Sequence, residues 1–365
     1  MDSKARAAVF IFFVFAATFV HNSFSQETSA FRIVGYYCGT TIPVDSFETE
    51  KLTHLIFCFG NLKGNRLCIN SSIDSATVKR MVELKSENPG MKVMLSLGGW
   101  GGCKTCSDVF STAPGRKEFV QSVKDVSAYF KTDGIDLDWE YPAIQGFPGH
   151  EFKTEDKKNF TALLLELREI NGPSFEISFA AGGFTAYIDS SVEWKEVTKY
   201  VSFINIMSYD LVHGYSTTSG HHTPLYSTPQ QTESTDHAVQ MLLKAGVPRE
   251  KLVIGAAFYG RFFKIDEGDK VDLYMPCHFS HGFSYKYSVD SLSEKNGFEK
   301  KWDDIAKAPY AMNQERRLLA TYDDEKSIAL KTKYAVENKL GGIMFWQLYD
   351  DKLHSGLLET IYRNK

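Results

Sequence analysis

The densest chemistry in the chain sits in ten residues, Asp133-Gly134-Ile135-Asp136-Leu137-Asp138-Trp139-Glu140-Tyr141-Pro142. Apolar Ile135, Leu137 and Trp139 alternate with acidic Asp136, Asp138 and Glu140. A period of two is that of a β-strand, whose successive side chains point to opposite faces. The three acids therefore share one face. Side chains two apart on a strand start about 6–7 Å apart and can approach more closely. Three carboxyls in a confined space cannot all ionise cheaply, so at least one keeps its proton near neutral pH. A carboxylic acid with a raised pKa is what protonates the leaving oxygen of a glycosidic bond. Glu140 is the longest of the three and the nearest to the strand's C-terminal end, so it reaches farthest outward. An acidic cluster satisfied by Arg, Lys or Tyr is one competing reading, and a Ca²⁺ or Mg²⁺ site is another. Calcium draws on loops that wrap the ion with many oxygens. These acids lie on a strand, so no metal or other cofactor is expected.

The surrounding elements suit an acid-lined lumen. Short β-rich runs recur at Arg32–Tyr37, Leu52–Phe59, Lys92–Leu97, Gly134–Trp139, Phe175–Ala180, Val201–Met207, Leu252–Phe258 and Gly342–Leu348. Helical patterns lie between several of them, at Ser75–Glu87, Arg116–Phe130, Glu155–Ile170, Asp236–Ala245 and Glu325–Asn338. Strands alternating with helices predict a parallel sheet, and eight of them predict an α/β fold, a closed (β/α)8 TIM barrel with its active site at the strands' C-terminal ends. Residues 261–320 break the alternation. That stretch is too long for a structureless connection and reads as a small α+β insertion between strand seven and its helix. The chain then divides into a leader over residues 1–25, barrel over 26–260, insertion over 261–320 and barrel again over 321–365.

Composition narrows the classes. The chain of 365 residues is 43% hydrophobic and carries a formal net charge of −4, so it can build a core and lacks a basic footprint for nucleic acid. Lys4 and Arg6 precede an apolar run from Ala7 to Val20, and Ser23-Phe24-Ser25 offers small residues for cleavage. This reads as a signal peptide, too short for a convincing membrane span. A secreted monomer, with no membrane association after signal removal, is expected. Such a compartment permits disulfides. The cysteines are Cys38, Cys58, Cys68, Cys103, Cys106 and Cys277. Cys103-x-x-Cys106 lacks a second pair at zinc spacing, which favours a local bridge or free buried thiols. Asn70-Ser71-Ser72 and Asn159-Phe160-Thr161 are glycosylation sequons in a eukaryotic host.

The acidic strand resembles the signature of glycoside hydrolase family 18, the chitinases and their relatives. Further motifs keep the family's order. Thr53-His54-Leu55 before Phe57-Cys58-Phe59 is similar to the second strand, and Ser96-Leu97-Gly98-Gly99-Trp100 to the third. Met207-Ser208-Tyr209-Asp210 resembles the sixth, Phe258-Tyr259-Gly260-Arg261 the end of the seventh, and Gly341-Gly342-Ile343-Met344-Phe345-Trp346 the eighth. The resemblance spans about Gly35 to Asp351.

It implies hydrolysis of β-1,4-linked N-acetylglucosamine polymers or oligomers by a retaining, substrate-assisted route. Glu140 would protonate the glycosidic oxygen, and the substrate's own acetamido carbonyl would attack the anomeric carbon. Glu140 would then act as base toward water. Asp138 would accept from the acetamido N–H, Asp136 would tune Asp138, and Tyr209 would hold the acetamido oxygen. Asp210 would contact the same sugar, and Trp346 would lie beneath it. The match also assigns Gly99, Tyr141 and Met207 to the substrate site. Arg261 would contact substrate or pair with an acid. Trp100 and Tyr36 stand equally well in the cleft or in the core. Two other functions share this fold: a chitin-binding lectin without catalysis, and an endo-β-N-acetylglucosaminidase acting on N-glycans.

Overall fold

The computed structural model describes residues 31–365 apart from 40, 267 and 269. The expected leader and its cleavage site lie outside the described residues.

Eight parallel strands close into a barrel. They are Arg32–Tyr37, His54–Lys63, Lys92–Gly98, Gly134–Asp138, Glu176–Gly182, Phe203–Met207, Leu252–Ala257 and Gly342–Trp346, here called barrel strands one to eight. Strand one pairs with strand eight on one side and strand two on the other, which removes both sheet edges. Strand two continues into a hairpin with Arg66–Cys68. The fold is thus the expected (β/α)8 TIM barrel.

The helices form where caps and apolar stripes coincide. Ser71 caps Ser72–Glu83 by accepting from the Asp74 N–H, and Thr112 caps Ala113–Phe130, which carries a proline in its first turn. Helix Asp156–Asn171 buries Phe160, Leu163, Leu164 and Leu167, one stripe at helical spacing. Ser234 caps Thr235–Lys244, and Asp324 with Ser327 forms a capping box on Glu325–Glu337. Their apolar faces pack on the outward side chains of the strands, including Ile135, Leu137 and Trp139. The Trp139 ring lies 5.5 Å from Phe110 and 6.2 Å from Phe160, so the odd-numbered side chains of strand four do face the helices. A second, smaller cluster fills the lumen with Val34, Tyr36, Ile56, Met94, Phe203, Met207 and Met344.

Between strand seven and its helix lies a five-stranded antiparallel sheet. Tyr259–Ile265 sits between Cys277–Ser284 and Leu318–Tyr322, and Ala308–Asn313 and Glu299–Asp303 continue outward. Its exit is bolted to the barrel by a buried ion pair. The Lys331 Nζ donates to both Asp323 oxygens at 2.9 and 2.6 Å. Asp323 also accepts from the Ser327 hydroxyl, the Thr223 hydroxyl and the Ala257 N–H. Both side chains of the pair are fully buried.

Cys103 and Cys106 form a local disulfide, while Cys38, Cys58, Cys68 and Cys277 are free thiols. No helix among the described residues is long and apolar enough to cross a membrane.

Candidate active site

Strand four delivers its acids into the lumen at three depths. Asp136 is fully buried, Asp138 lies above it at 4% exposure, and Glu140 is partly open. The regular strand ends at Asp138, so Glu140 stands on the bend just past it rather than on the strand. The Cys58-Phe59, Glu140-Tyr141 and Trp346-Gln347 peptides are cis.

Asp136 is saturated with donors. Its Oδ2 accepts from the Ser96 hydroxyl at 2.9 Å and the Tyr36 hydroxyl at 3.0 Å. Its Oδ1 accepts from the Ser178 hydroxyl at 2.6 Å and the Asn205 amide at 3.3 Å. Asn205 also donates to the Tyr36 oxygen at 2.9 Å. Ser96, Asp136 and Ser178 are register partners on strands three, four and five, so this polar layer crosses the barrel at one level. Burial pushes Asp136 up and these four donors pull it back, leaving a net rise.

Asp138 has no such support. Its Oδ1 is buried without a partner among the described residues. Burial raises its pKa well above the carboxylate range, and the neighbouring Glu140 and Asp136 raise it further. Glu140 is pushed up to about 7, first by desolvation, with Asp210 adding to the rise and a hydrogen bond with Tyr141 opposing it. Two facing carboxyls titrate as a unit, and the first charge placed on the pair disfavours the second. The site therefore holds at least one acidic proton at neutral pH, next to an unpartnered buried acceptor.

The turn after strand three must pass close to this acid row. The Gly99 N–H donates to the Asp138 carbonyl at 2.9 Å. Gly98 has φ 113°, and a Cβ there would lie 2.2 Å from the same carbonyl oxygen. Only glycine fits such an approach. Gly99, with φ 79°, likewise leaves room for the Phe59 ring.

The remaining residues of the sequence motifs divide by depth. Tyr36 is 2% exposed and commits its hydroxyl to Asp136, so it lies one layer below the opening. Met207 is in the lumen cluster. Tyr141, Tyr209 and Trp346 pack on that cluster while remaining partly open. The Trp346 ring stacks on Phe59 at 5.6 Å, with an interplanar angle of 18°. The Tyr209 hydroxyl points at Met344 Sδ, 3.8 Å away. Trp100 is 49% exposed at the rim, within 6.4 Å of both Tyr141 and Tyr215.

Asp210 and Arg261 are brought together. The Arg261 Nε donates to one Asp210 oxygen and a terminal nitrogen to the other, both at 2.5 Å. His222 Nδ1 lies 3.5 Å from the first oxygen. Asp210 takes the left-handed backbone conformation, φ 55°, which acidic side chains tolerate better than most. Burial would raise its pKa, but His222 and Arg261 overcome that and hold it far below the carboxylate range.

Phe59, Ser178, Asn205, His222 and Tyr259 complete the site, and sequence motifs assign them no role in it. Ser178 and Asn205 carry a legible signal. Each is a lone inward-facing polar residue in an otherwise apolar strand core. His222 sits in the long connection after strand six, where nothing local marks it. Among the described residues no group of acidic, His and Cys side chains has metal-binding geometry.

The family model for glycosyl hydrolases family 18 matches residues 32–351. The chain belongs to glycosyl hydrolases family 18. It is similar to chitinase A1 of Niallia circulans, 33% identical over 90% of this chain, and spans 58% of that protein's length. It is 29% identical to probable chitinase 2 of Drosophila melanogaster over 84% of this chain and 68% of that protein. Among solved structures, a family 18 N-acetylglucosaminidase from Paenibacillus barengoltzii superposes with a TM-score of 0.81 at 33% identity, covering 92% of this chain and all of that one. An Ostrinia furnacalis Group IV chitinase in complex with allosamidin superposes at 0.84 with 26% identity, over 91% of this chain and 98% of that one.

Proposed function

We propose that the protein is a chitinase, a glycoside hydrolase that cuts β-1,4-linked N-acetylglucosamine chains with retention of configuration. The observation that carries this reading is the pairing of a raised Glu140 carboxyl, at about 7, with the orphaned Asp138 oxygen below it. The Glu140 proton goes to the glycosidic oxygen. The substrate acetamido N–H donates to Asp138 Oδ1, filling the empty acceptor and turning the acetamido carbonyl toward the anomeric carbon. An isolated neutral sugar without that amide leaves the acceptor unfilled, which selects for N-acetylated units. Positive charge developing on the ring and acetamido group is met by the Asp138 oxygen that accepts from the acetamido N–H. Asp136 is fixed by four donors and holds Asp138 in place from beneath. Glu140, now a carboxylate, takes a proton from the water that opens the cyclic intermediate.

In this reading Tyr209 turns its hydroxyl from Met344 to the acetamido oxygen, and the Trp346 ring covers the apolar face of the sugar. Arg261 is engaged by Asp210, so any sugar contact on that side falls to the pair rather than to a free guanidinium. We further propose that the protein is secreted, on the strength of its apolar N-terminal run.

A second reading is release of single N-acetylglucosamine units from chain ends. It is supported by the likeness to the Paenibacillus barengoltzii N-acetylglucosaminidase over the whole of that structure. Product analysis of chitohexaose with anomer detection separates the readings. Internal products with β configuration at the new end support the chitinase, and monomer from the first turnover supports the exo-enzyme. Binding of chitohexaose with no cleavage would leave a lectin.

A further inference from the structure

Two free cysteines, Cys38 and Cys58, line one cavity at the mouth of the barrel. Strands one and two run in parallel register, with Val34 opposite His54, Tyr36 opposite Ile56 and Tyr37 opposite Phe57. Continuing that register one step past the end of strand one would set Cys38 opposite Cys58. Side-chain direction agrees with that pairing. Val34, Tyr36, Ile56 and Cys58 belong to the lumen cluster, whereas Ile33, Tyr37, Leu55 and Phe57 belong to the outer core. Cys38 follows the last residue of strand one and is exposed, while Cys58 lies in the lumen cluster beneath it. Both line one cavity of about 460 Å³, together with Phe59, Asn61 and Trp100. Adjacent strands lie about 4.8 Å apart, and bridged cysteines span roughly 4.4–6.8 Å between Cα atoms.

We propose that Cys38 and Cys58 form a reversible disulfide across the first two barrel strands, installed by a small-molecule disulfide from solvent. Cys38 is exposed and Cys58 buried, which fixes the order of events. Cys38 loses its proton to water, and its Sγ attacks one sulfur of the donor. The donor S–S bond breaks and one small thiolate leaves. Cys58 then loses its proton, and its Sγ attacks Cys38 Sγ, expelling the second small thiolate. Two protein thiols are oxidised, one donor disulfide is reduced, and the two protons end on the released thiols. Burial raises both thiols, with Asp350 and Asp74 adding to the rise at Cys38 and the Cys38 charge to that at Cys58, so exchange through the exposed member is slow but directional.

The bridge would lie beside the candidate cleft. Cys58 packs in the cluster that carries Trp346, and the Cys38 N–H donates to the Gln347 side-chain oxygen at 3.1 Å. A covalent link there pins the ends of strands one and two against strand eight. An exported protein would meet disulfide donors of this class.

The test maps cysteines in the full chain after incubation with oxidised glutathione or with dithiothreitol, followed by alkylation, digestion and mass spectrometry. The proposal predicts a Cys38–Cys58 linked peptide with the donor, its loss with the reductant, and alkylated Cys68 and Cys277 in both. Cys38→Ser should abolish the linked peptide without unfolding the chain, because its side chain is at the surface. Cys58→Ser should trap Cys38 as a stable mixed disulfide. Alkylated Cys38 and Cys58 after the donor treatment would overturn the proposal. So would a bridge from either one to Cys68 or Cys277. None of these outcomes depends on hydrolysis.

Discussion

Two carboxyl sites lie at the mouth of the barrel, one on strand four and one after strand six, and desolvation pushes both upward while their partners do not act alike. On strand four, Asp138 and Glu140 meet other acids and both rise. At the end of strand six, Asp210 meets Arg261 and His222 and falls far below its ordinary range. Desolvation is the first influence in each case, and it pushes upward in each case. The sign of the net shift is set by what the neighbouring strand supplies. One corner is thereby kept as a proton store and the other as a fixed negative charge, within one lumen.

The largest effect should come from removing the stored proton. Glu140→Gln is expected to lower turnover of a chitotrioside by about 10²–10⁴-fold with oligosaccharide binding retained. The same variant carries a stability signature. A carboxyl whose folded pKa is raised costs stability as pH climbs from its ordinary value, about 4.3, toward the folded value. That folded value is about 7 for Glu140. Glu140→Gln should therefore raise the melting temperature at pH 8 and leave it unchanged at pH 4. A parallel shift at both pH values would refute the assignment.

Breaking the opposite corner should cost stability. Arg261→Ala removes a bidentate partner from Asp210 and is expected to destabilise by about 1.5–3 kcal/mol in urea unfolding at pH 7. Asp210 has a depressed folded pKa, so its contribution is present above about pH 4 and is lost as pH falls below that. The difference between wild type and Arg261→Ala should shrink on acidification. A difference independent of pH would mean that Arg261 acts through packing alone.

The smallest effect concerns the rim. Trp100 is half exposed and touches other rings only at their edges or tilted faces. Trp100→Ala should raise KM for oligosaccharides a few-fold, with kcat unchanged, as for a group that binds ground and transition states equally. A matching fall in kcat would place Trp100 in the chemistry.

Much of this architecture is legible in the amino-acid pattern. The alternation Ile135-Asp136-Leu137-Asp138-Trp139 marks both faces of strand four, because a period of two leaves little freedom. The eight barrel strands stand out as short β-rich runs between amphipathic helices. What stays hidden depends on contacts between distant segments. Nothing near His222 says that it will sit beside Asp210. The free state of Asp138 Oδ1 follows only from where Ser96, Ser178 and Asn205 spend their donors. The order of the insertion sheet is hidden for the same reason, since Tyr259–Ile265 pairs with Leu318–Tyr322 more than fifty residues later. Pattern alone places Glu140 on the strand, whereas the ladder ends two residues earlier.

Glu140, just past the end of strand four, stays protonated near neutral pH because desolvation and the Asp210 charge raise it, and no cation among the described residues pairs with it. Titration of a ¹³C-labelled Glu140 side-chain carboxyl by NMR tests it directly. The account predicts a midpoint at about 7. A midpoint near the ordinary glutamate value of about 4.3 would contradict it.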